Sequence, residues 1–201
     1  MINGKIIIGL TGPIGSGKTK VSQFLINEDV FVINADKVSH ELLNTNLECH
    51  NKIVAIFSDK ILNNKGKIDR KKLGKLAFNN SQNINKLTDI MFPYITNSIL
   101  QMINLCDNCK KYIILDAPTL IQSKLYKICD KIIVILSDKN TRIKRIIARD
   151  ILTIEEVNSR IKNQLSDEEY CKYADYIIHN DKDQKYLQAC IYNILHQIYG
   201  Y

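Results

Sequence analysis

Residues 12–19 are Gly12-Pro13-Ile14-Gly15-Ser16-Gly17-Lys18-Thr19, and they match the phosphate-binding pattern G-x-x-x-x-G-K-[ST] at every required position. A short apolar run, 6–10, precedes the stretch, and an amphipathic segment, 21–26, follows it. Strand, glycine-rich loop and helix is the arrangement in which backbone N–H groups and the positive end of a helix point at one anion. We therefore predict that residues 12–19, the phosphate loop, bind a nucleoside triphosphate.

The last two residues of the phosphate loop carry its reactive side chains. Lys18 is long enough to reach the β- and γ-phosphates of ATP, and the hydroxyl oxygen of Thr19 can bind Mg²⁺. We therefore expect all eight residues of the loop to bind ATP, Lys18 to be catalytic, and Mg²⁺ to be the cofactor.

Length and composition predict one cytoplasmic domain. The chain has 201 residues, 45% of them hydrophobic, which is ample for one core. Its longest apolar runs fall far short of the roughly 20 residues of a membrane span, so we expect no membrane partner. The net charge of +7 favours binding of a negatively charged partner, either a nucleic acid or a phosphorylated metabolite. Because no nucleic-acid-binding motif is found, we expect no nucleic acid partner, and no obligate protein partner is evident.

Six cysteines are present, and two of them, Cys106 and Cys109, form a CxxC pair. A zinc site requires a second such pair or two histidines at metal spacing, and neither accompanies this pair. We therefore expect reduced thiols that bind no metal, with redox activity of the pair left open.

Five apolar runs suited to buried parallel strands alternate with helical segments; they are 6–10, 30–33, 112–115, 132–136 and 176–178. This alternation predicts an α/β fold in which helices wrap a parallel five-stranded sheet. Together with the phosphate loop, it indicates the P-loop nucleoside triphosphate hydrolase and kinase fold. We predict a single domain whose core comprises about residues 1–35, 110–137 and 174–201.

Two helical stretches interrupt the alternation. The first, about 36–109, is long, with Pro93 expected to interrupt it, and we predict that it is an acceptor-binding insertion. The second, about 138–173, contains two capping boxes, one starting at Thr153 and one at Ser166, and we predict that it is a lid.

Two aspartates follow predicted strands, at the edge where ligands of parallel sheets bind. Asp36 is expected to face the same crevice as Lys18. It can serve as a general base for an acceptor hydroxyl or as the cap of the next helix, and the two roles are compatible. Asp116 closes an apolar strand, which favours a role as Mg²⁺ ligand over that of a loop cap.

Three arginines of the predicted lid, Arg142, Arg145 and Arg149, lie on one helical face at spacing i, i+3 and i+7. Guanidinium groups suit phosphate oxygens, so we expect the face to close on the nucleotide, although a solvated basic face has the same pattern. Arg142 and Arg149 are the predicted ATP ligands. Arg160 and Gln164 are further candidates on the next helix.

The chain resembles the dephospho-coenzyme A kinase family over nearly its whole length. The motifs that carry the resemblance are Gly9-Leu10-Thr11 with the phosphate loop, Ala35-Asp36, Ile68-Asp69-Arg70-Lys71-Lys72-Leu73 with Ala77-Phe78, Leu115-Asp116-Ala117-Pro118-Thr119-Leu120 with Leu125-Tyr126, Arg149-Asp150, Arg160 with Gln164, and Ala174-Asp175-Tyr176-Ile177-Ile178-His179-Asn180.

The resemblance implies transfer of the γ-phosphate of ATP to the ribose 3′-hydroxyl of dephospho-coenzyme A. It implies that Asp36 is the base, that Arg149 acts in the nucleotide lid, and that Asp36, Asp69, Arg70 and Pro118 bind the acceptor. A polyanionic acceptor also accounts for the positive net charge.

Three departures from the pattern of that family matter. Phe92 stands where histidine is usual, and Pro13 where glycine is usual. The usual Leu-Leu-Phe-Glu stretch becomes Thr119-Leu120-Ile121-Gln122, which loses an aromatic residue and an acid. Proline tolerates a turn, so we expect Pro13 to have little effect. The substitutions at Phe92 and Gln122 affect the contacts expected with the acceptor, and they do not affect the residues expected to bind ATP.

Two other functions fit parts of the sequence. A P-loop kinase for another small acceptor, such as a nucleoside monophosphate, would share the fold and the phosphate loop. A nucleotide-dependent switch would need no acceptor, but its guanine-reading Asn-Lys-x-Asp element is matched by 180–183 only in the wrong order.

Overall fold

The computed structural model describes residues 1–26, 29–77, 81–106, 109–150 and 152–199. Phe78, Asp107 and Asn108, which the sequence motifs include, lie outside the described residues. The chain divides into two compact units. The first comprises 1–33, 106–121 and 126–201, and the second comprises 34–105 and 122–125.

The strands are β1 (Ile6–Thr11), β2 (Val30–Asn34), β3 (Tyr112–Asp116), β4 (Lys131–Leu136) and β5 (Tyr176–His179), in the spatial order β2-β3-β1-β4-β5. Strand β1 pairs in parallel with β3 and β4, so that Ile8 lies opposite Ile114 on one side and Lys131 on the other. The central strands are buried along almost their whole length, as in sheets covered on both faces. The predicted parallel five-stranded sheet is confirmed, and each predicted run is one of its strands.

The helices are α1 (Lys18–Phe24), α2 (Ala35–Thr45), α3 (Leu47–Phe57), α4 (Arg70–Ala77), α5 (Ser81–Leu105), α6 (Lys139–Asp150), α7 (Ile154–Lys162), α8 (Asp167–Cys171) and α9 (Gln184–Tyr199). Short 3-10 helices occupy Asp59–Ile61 and Leu125–Ile128. Among the described helices, none combines the length and apolarity that a membrane span requires.

Both predicted capping boxes begin helices of the first unit. Thr153 and Glu156 exchange reciprocal side-chain-to-backbone hydrogen bonds at the start of α7. Ser166 and Glu169 do the same at the start of α8. These bonds satisfy N–H groups that a helix otherwise leaves unpaired, so the local sequence determines where each helix begins.

In the second unit, α5 runs unbroken through Pro93, so the expected interruption is wrong. Proline inside a helix costs about 3 kcal/mol, because it removes one N–H and crowds the preceding turn. A stripe of aliphatic side chains offsets this cost; its members are Met91, Ile95, Ile99 and Ile103, all at most 9% exposed. Each such side chain contributes about 1.5–3 kcal/mol when buried, so packing on both sides of Pro93 outweighs the local penalty.

Candidate functional site

The phosphate loop joins β1 to α1 within the first unit, and close contacts with neighbouring segments require glycine at all three of its glycine positions, two of which illustrate the reason. Gly17 precedes α1 with φ 90° and ψ 23°, a left-handed conformation, and a Cβ atom there would overlap the side-chain amide of Asn180. A Cβ atom on Gly12 would overlap the carbonyl oxygen of Ile135. Pro13 lies in a turn, since its carbonyl accepts a hydrogen bond from the Ser16 N–H at 3.1 Å.

Lys18 of the phosphate loop and Asp116, two predicted site residues, form an ion pair. The side chains are only 13% and 9% exposed, respectively. Parallel pairing explains their proximity, because Asp116 at the end of β3 lies opposite Leu10 at the end of β1. Pro118 lies in the same region, and its carbonyl accepts a hydrogen bond from the Thr11 hydroxyl at 3.2 Å.

Thr19 and Asp116 offer the oxygen atoms that Mg²⁺ prefers. Thr19 lies exposed in the first turn of α1, and Asp116 ends the strand next to β1. The donor chemistry fits a magnesium ion that is shared with the phosphates of a nucleotide. No larger cluster of His, Cys, Asp and Glu suited to a metal occurs within the described residues.

None of the six cysteines takes part in a disulfide bond. Burial raises the pKa of the Cys129 thiol to about 12, so this group stays protonated at neutral pH. Of the CxxC pair, Cys106 is half-buried and Cys109 is exposed.

The two predicted ATP-binding arginines of α6 are both engaged in ion pairs. Arg142 is 7% exposed and donates to Asp167 of α8 at 3.2 Å. Arg149 is exposed, and its guanidinium donates hydrogen bonds of 2.7 and 2.8 Å to the two carboxylate oxygens of Asp150. These hydrogen bonds raise the pKa of Arg149 and lower the pKa of Asp150. The Asp150 carboxylate also forms an ion pair with Arg160 at 3.6 Å. Contact of either arginine with ATP remains a prediction.

Three further side chains contact the phosphate loop: Arg145 of the predicted basic face, Gln164, which was a further candidate, and Asn180, for which no role was predicted. Arg145 donates to two of its carbonyl oxygens at 3.3 and 3.4 Å. The Asn180 amide donates to the carbonyl of Ser16 at 2.7 Å, and Gln164 accepts from the N–H of Ile14 at 2.8 Å. The available signals were the helical spacing of Arg145 and the position of Asn180 just beyond β5. Neither signal indicates a contact so distant in sequence.

Asp36 lies half-buried in the first turn of α2, in the second unit. Asn34, and not Asp36, caps this helix, because the Asn34 side chain accepts from the N–H of Lys37 at 2.9 Å. The capping alternative for Asp36 is therefore wrong, and its carboxylate is left for another role. The predicted position of Asp36 opposite Lys18 stays a prediction.

His40 lies one helical turn after Asp36 and interacts electrostatically with two predicted site residues. Desolvation lowers the pKa of the His40 imidazole from 6.5, the positive charge of Arg70 lowers it further, and the carboxylate of Asp36 opposes both. These interactions indicate that Asp36, His40 and Arg70 lie near one another in the second unit. Sequence reasoning overlooked His40, although its i, i+4 spacing from Asp36 was a visible signal.

Asp69, predicted to bind the acceptor, caps α4. Its carboxylate accepts from the N–H groups of Lys71 and Lys72 at 2.9 and 3.2 Å. We expect Asp69→Ala to lower stability by about 1 kcal/mol, or roughly 2–4 °C in thermal unfolding, and Asp69→Asn to retain most of it. Equal unfolding midpoints for the two variants would contradict the capping role. A similar rise in acceptor KM in both variants would indicate acceptor binding as well.

The two acceptor-side departures from the family pattern lie in the second unit. Phe92 is half-buried on α5. The side-chain oxygen of Gln122 is buried and has no hydrogen-bond partner within the described part of the chain. A carboxylate there would bring a charge into the same unpaired environment, at a higher cost.

Comparison with known proteins adds four findings. A family model described as dephospho-CoA kinase matches residues 6–185. The dephospho-CoA kinase of Fusobacterium nucleatum is 39% identical over 178 residues, which cover 89% of this chain and 91% of the relative. The solved dephospho-CoA kinase of Campylobacter jejuni is 30% identical and superposes with a TM-score of 0.66 over 96% of both chains. A Thermus thermophilus protein superposes better, with a TM-score of 0.81 over 96% of this chain and 98% of its own, but at 23% identity it shows the fold alone.

Proposed function

Because the chain belongs to the dephospho-CoA kinase family, we propose that it transfers the γ-phosphoryl group of ATP to the ribose 3′-hydroxyl of dephospho-coenzyme A, the last step of coenzyme A synthesis. The observation that carries the proposal is the family match across residues 6–185. The phosphate loop and the Lys18–Asp116 pair support phosphoryl transfer as the chemistry.

On the nucleotide side, the chain supplies positioning and positive charge, which phosphoryl transfer requires. Backbone N–H groups of the phosphate loop hold the phosphates. Pro13 contributes none, and in the structure those of Ile14 and Ser16 bond to Gln164 and to the Pro13 carbonyl. When ATP binds, the Lys18 ammonium group leaves Asp116 and pairs with the β- and γ-phosphates. There it stabilises the negative charge that develops during transfer. Asp116, released from Lys18, would hold Mg²⁺ with Thr19, and the bound ion would neutralise phosphate charge.

On the acceptor side, Asp36 accepts the proton of the 3′-hydroxyl as that oxygen attacks phosphorus. Arg70 pairs with a phosphate of the acceptor, and Asp69 and Pro118 complete the acceptor contacts. We assign acceptor binding to the helical insertion of about residues 36–109.

Residues 138–173 act as a lid that excludes water from the reaction. In this role Arg149 leaves Asp150 to bind the nucleotide, and Arg142 of the same helix also binds ATP. Closure over the phosphates would keep ATP from being hydrolysed before the acceptor is bound.

The test is ADP release from Mg-ATP with and without dephospho-coenzyme A, with nucleoside monophosphates as competing acceptors. We expect release to depend on dephospho-coenzyme A and to respond little to the monophosphates. Stimulation by a nucleoside monophosphate alone would favour a kinase for a different acceptor. Hydrolysis that no acceptor changes would favour a nucleotide-dependent switch.

A further inference from the structure

Arg145 connects the phosphate loop to the ends of two strands. Its Nη1 atom donates to the carbonyls of Gly15 and Ser16 at 3.4 and 3.3 Å, and to the Ser137 hydroxyl at 3.2 Å. Its Nη2 atom donates to the carbonyl of Asn180 at 2.8 Å. One half-buried guanidinium thus holds the loop against the segments that follow β4 and β5.

Asn180 also forms a hydrogen bond with the phosphate loop, at the carbonyl of Ser16. It is 5% exposed, and its side-chain amide donates to the Ser16 carbonyl at 2.7 Å. The absence of a side chain on Gly17 makes room for this amide. The Ser16 carbonyl therefore receives two side-chain donors, one from Arg145 and one from Asn180.

Holding this carbonyl has a direct consequence for anion binding. A trans peptide bond is planar, so the carbonyl of Ser16 and the N–H of Gly17 point in opposite directions. Because Arg145 and Asn180 hold the Ser16 carbonyl, the Gly17 N–H points away from both side chains, in a direction from which it can donate to an anion. The two side chains thus act on the anion through the backbone.

Arg145 differs in its partners from three other cations of the predicted nucleotide site. Arg142 pairs with Asp167, Arg149 with Asp150, and Lys18 with Asp116. Of the ion pairs formed among the described residues, none involves Arg145, and its hydrogen-bond acceptors are carbonyls and a hydroxyl. No carboxylate pairs with its guanidinium directly. The carboxylate of Asp181 lies one hydroxyl away, where it accepts from Ser137 at 2.5 Å, and the positive charge of Arg145 lies against the loop carbonyls.

We propose that Arg145, together with Asn180, is a positioning residue for the phosphate chain of the nucleotide. It orients the Ser16–Gly17 peptide towards the phosphates and adds positive charge at the loop. The proposal rests on the proposed function only in that the site binds a nucleoside triphosphate. The ligand group it concerns is the polyphosphate, and the acceptor is not involved.

The test measures ADP binding by calorimetry, which requires no acceptor and therefore stands even if dephospho-coenzyme A proves not to be the acceptor. We expect Arg145→Gln to raise the Kd for ADP about tenfold to hundredfold, since charge-assisted hydrogen bonds are lost. Asn180→Ala should raise it by about tenfold. Exposed Lys144 provides the matched control, and Lys144→Gln should stay within about twofold of the native Kd.

Three further readouts distinguish a positioning role from general structural support. Because both side chains hold one carbonyl, the double variant should lose less affinity than the product of the single losses. Arg145→Lys keeps the charge but loses the planar fork, so it should bind ADP with intermediate affinity. In steady-state assays, the KM for ATP should rise while the KM for the acceptor stays near native.

A native ADP affinity in folded Arg145→Gln would overturn the proposal. An equal rise in the KM values of both substrates would also overturn it, because it would indicate support of the whole fold. If Arg145→Gln fails to fold, Arg145→Lys and Asn180→Ala decide the matter, and native ADP affinity in both would refute the role.

Discussion

Asp36→Asn is expected to lower kcat by about 10²–10⁴-fold, the usual contribution of a general base, while ATP binding stays near native. The side chain of asparagine has almost the same shape but cannot take the proton of a hydroxyl at neutral pH. The fold of α2 should be preserved, because the helix cap is Asn34 and the substitution leaves that cap in place. Acceptor-dependent ADP release under saturating substrates measures the effect.

The matched control for this variant is Glu41→Gln, which removes one negative charge from an exposed position on the same helix. We expect its kcat to remain within about twofold of the native value, since screened surface charges have little effect. Near-native turnover in Asp36→Asn would remove Asp36 from the chemistry and leave it only a role in binding.

Lys18→Ala is expected to affect both catalysis and stability. Loss of the cation at the β- and γ-phosphates should lower kcat by about 10²–10³-fold, as for other donors that stabilise transition-state charge. The substitution also leaves the carboxylate of Asp116, which is 9% exposed in its side chain, without a counter-ion. Breaking such a pair costs about 3–5 kcal/mol, which corresponds to a fall of roughly 6–20 °C in Tm.

A double variant separates the two consequences of losing Lys18. Lys18→Ala combined with Asp116→Ala removes both charges, so much of the lost stability should return. Activity should not return, because both the cation and the proposed Mg²⁺ ligand are absent. Exposed Lys20 serves as the control, and Lys20→Ala should behave like the native protein in both assays. Native turnover in Lys18→Ala would refute the role of the phosphate loop.

The sheet was predictable from sequence because its signals are local. Each strand is a run of aliphatic residues, such as Ile132–Leu136, and buried parallel strands require little else. The capping boxes at Thr153 and Ser166 are also local, since each bond spans three residues. The path of α5 was not predictable in this way. A single proline indicates a break, but the packing that overrides it depends on the neighbours of α5 in the folded unit.

Site residues that belong to a local sequence motif were predicted, whereas residues that reach the site only through the fold of the chain were overlooked. Lys18 and Asp116 were identified because each ends a recognisable strand or loop. Helical spacing put Arg142, Arg145 and Arg149 on one face, but it cannot tell which of them meets the loop. That depends on how α6 packs, and the structure buries Arg142 and turns Arg145 to the loop carbonyls. Asn180 lies 164 residues from its partner Ser16, a contact that no local pattern indicates.

The measurement that tests the central claim most directly is the identity of the phosphorylated product. The enzyme is incubated with Mg-ATP and dephospho-coenzyme A, and the product is analysed by mass spectrometry and phosphorus NMR. The account predicts one added phosphate as a monoester on the ribose 3′-oxygen, with one ADP formed per product. A phosphate on another oxygen, or ADP formed without any phosphorylated acceptor, would contradict it.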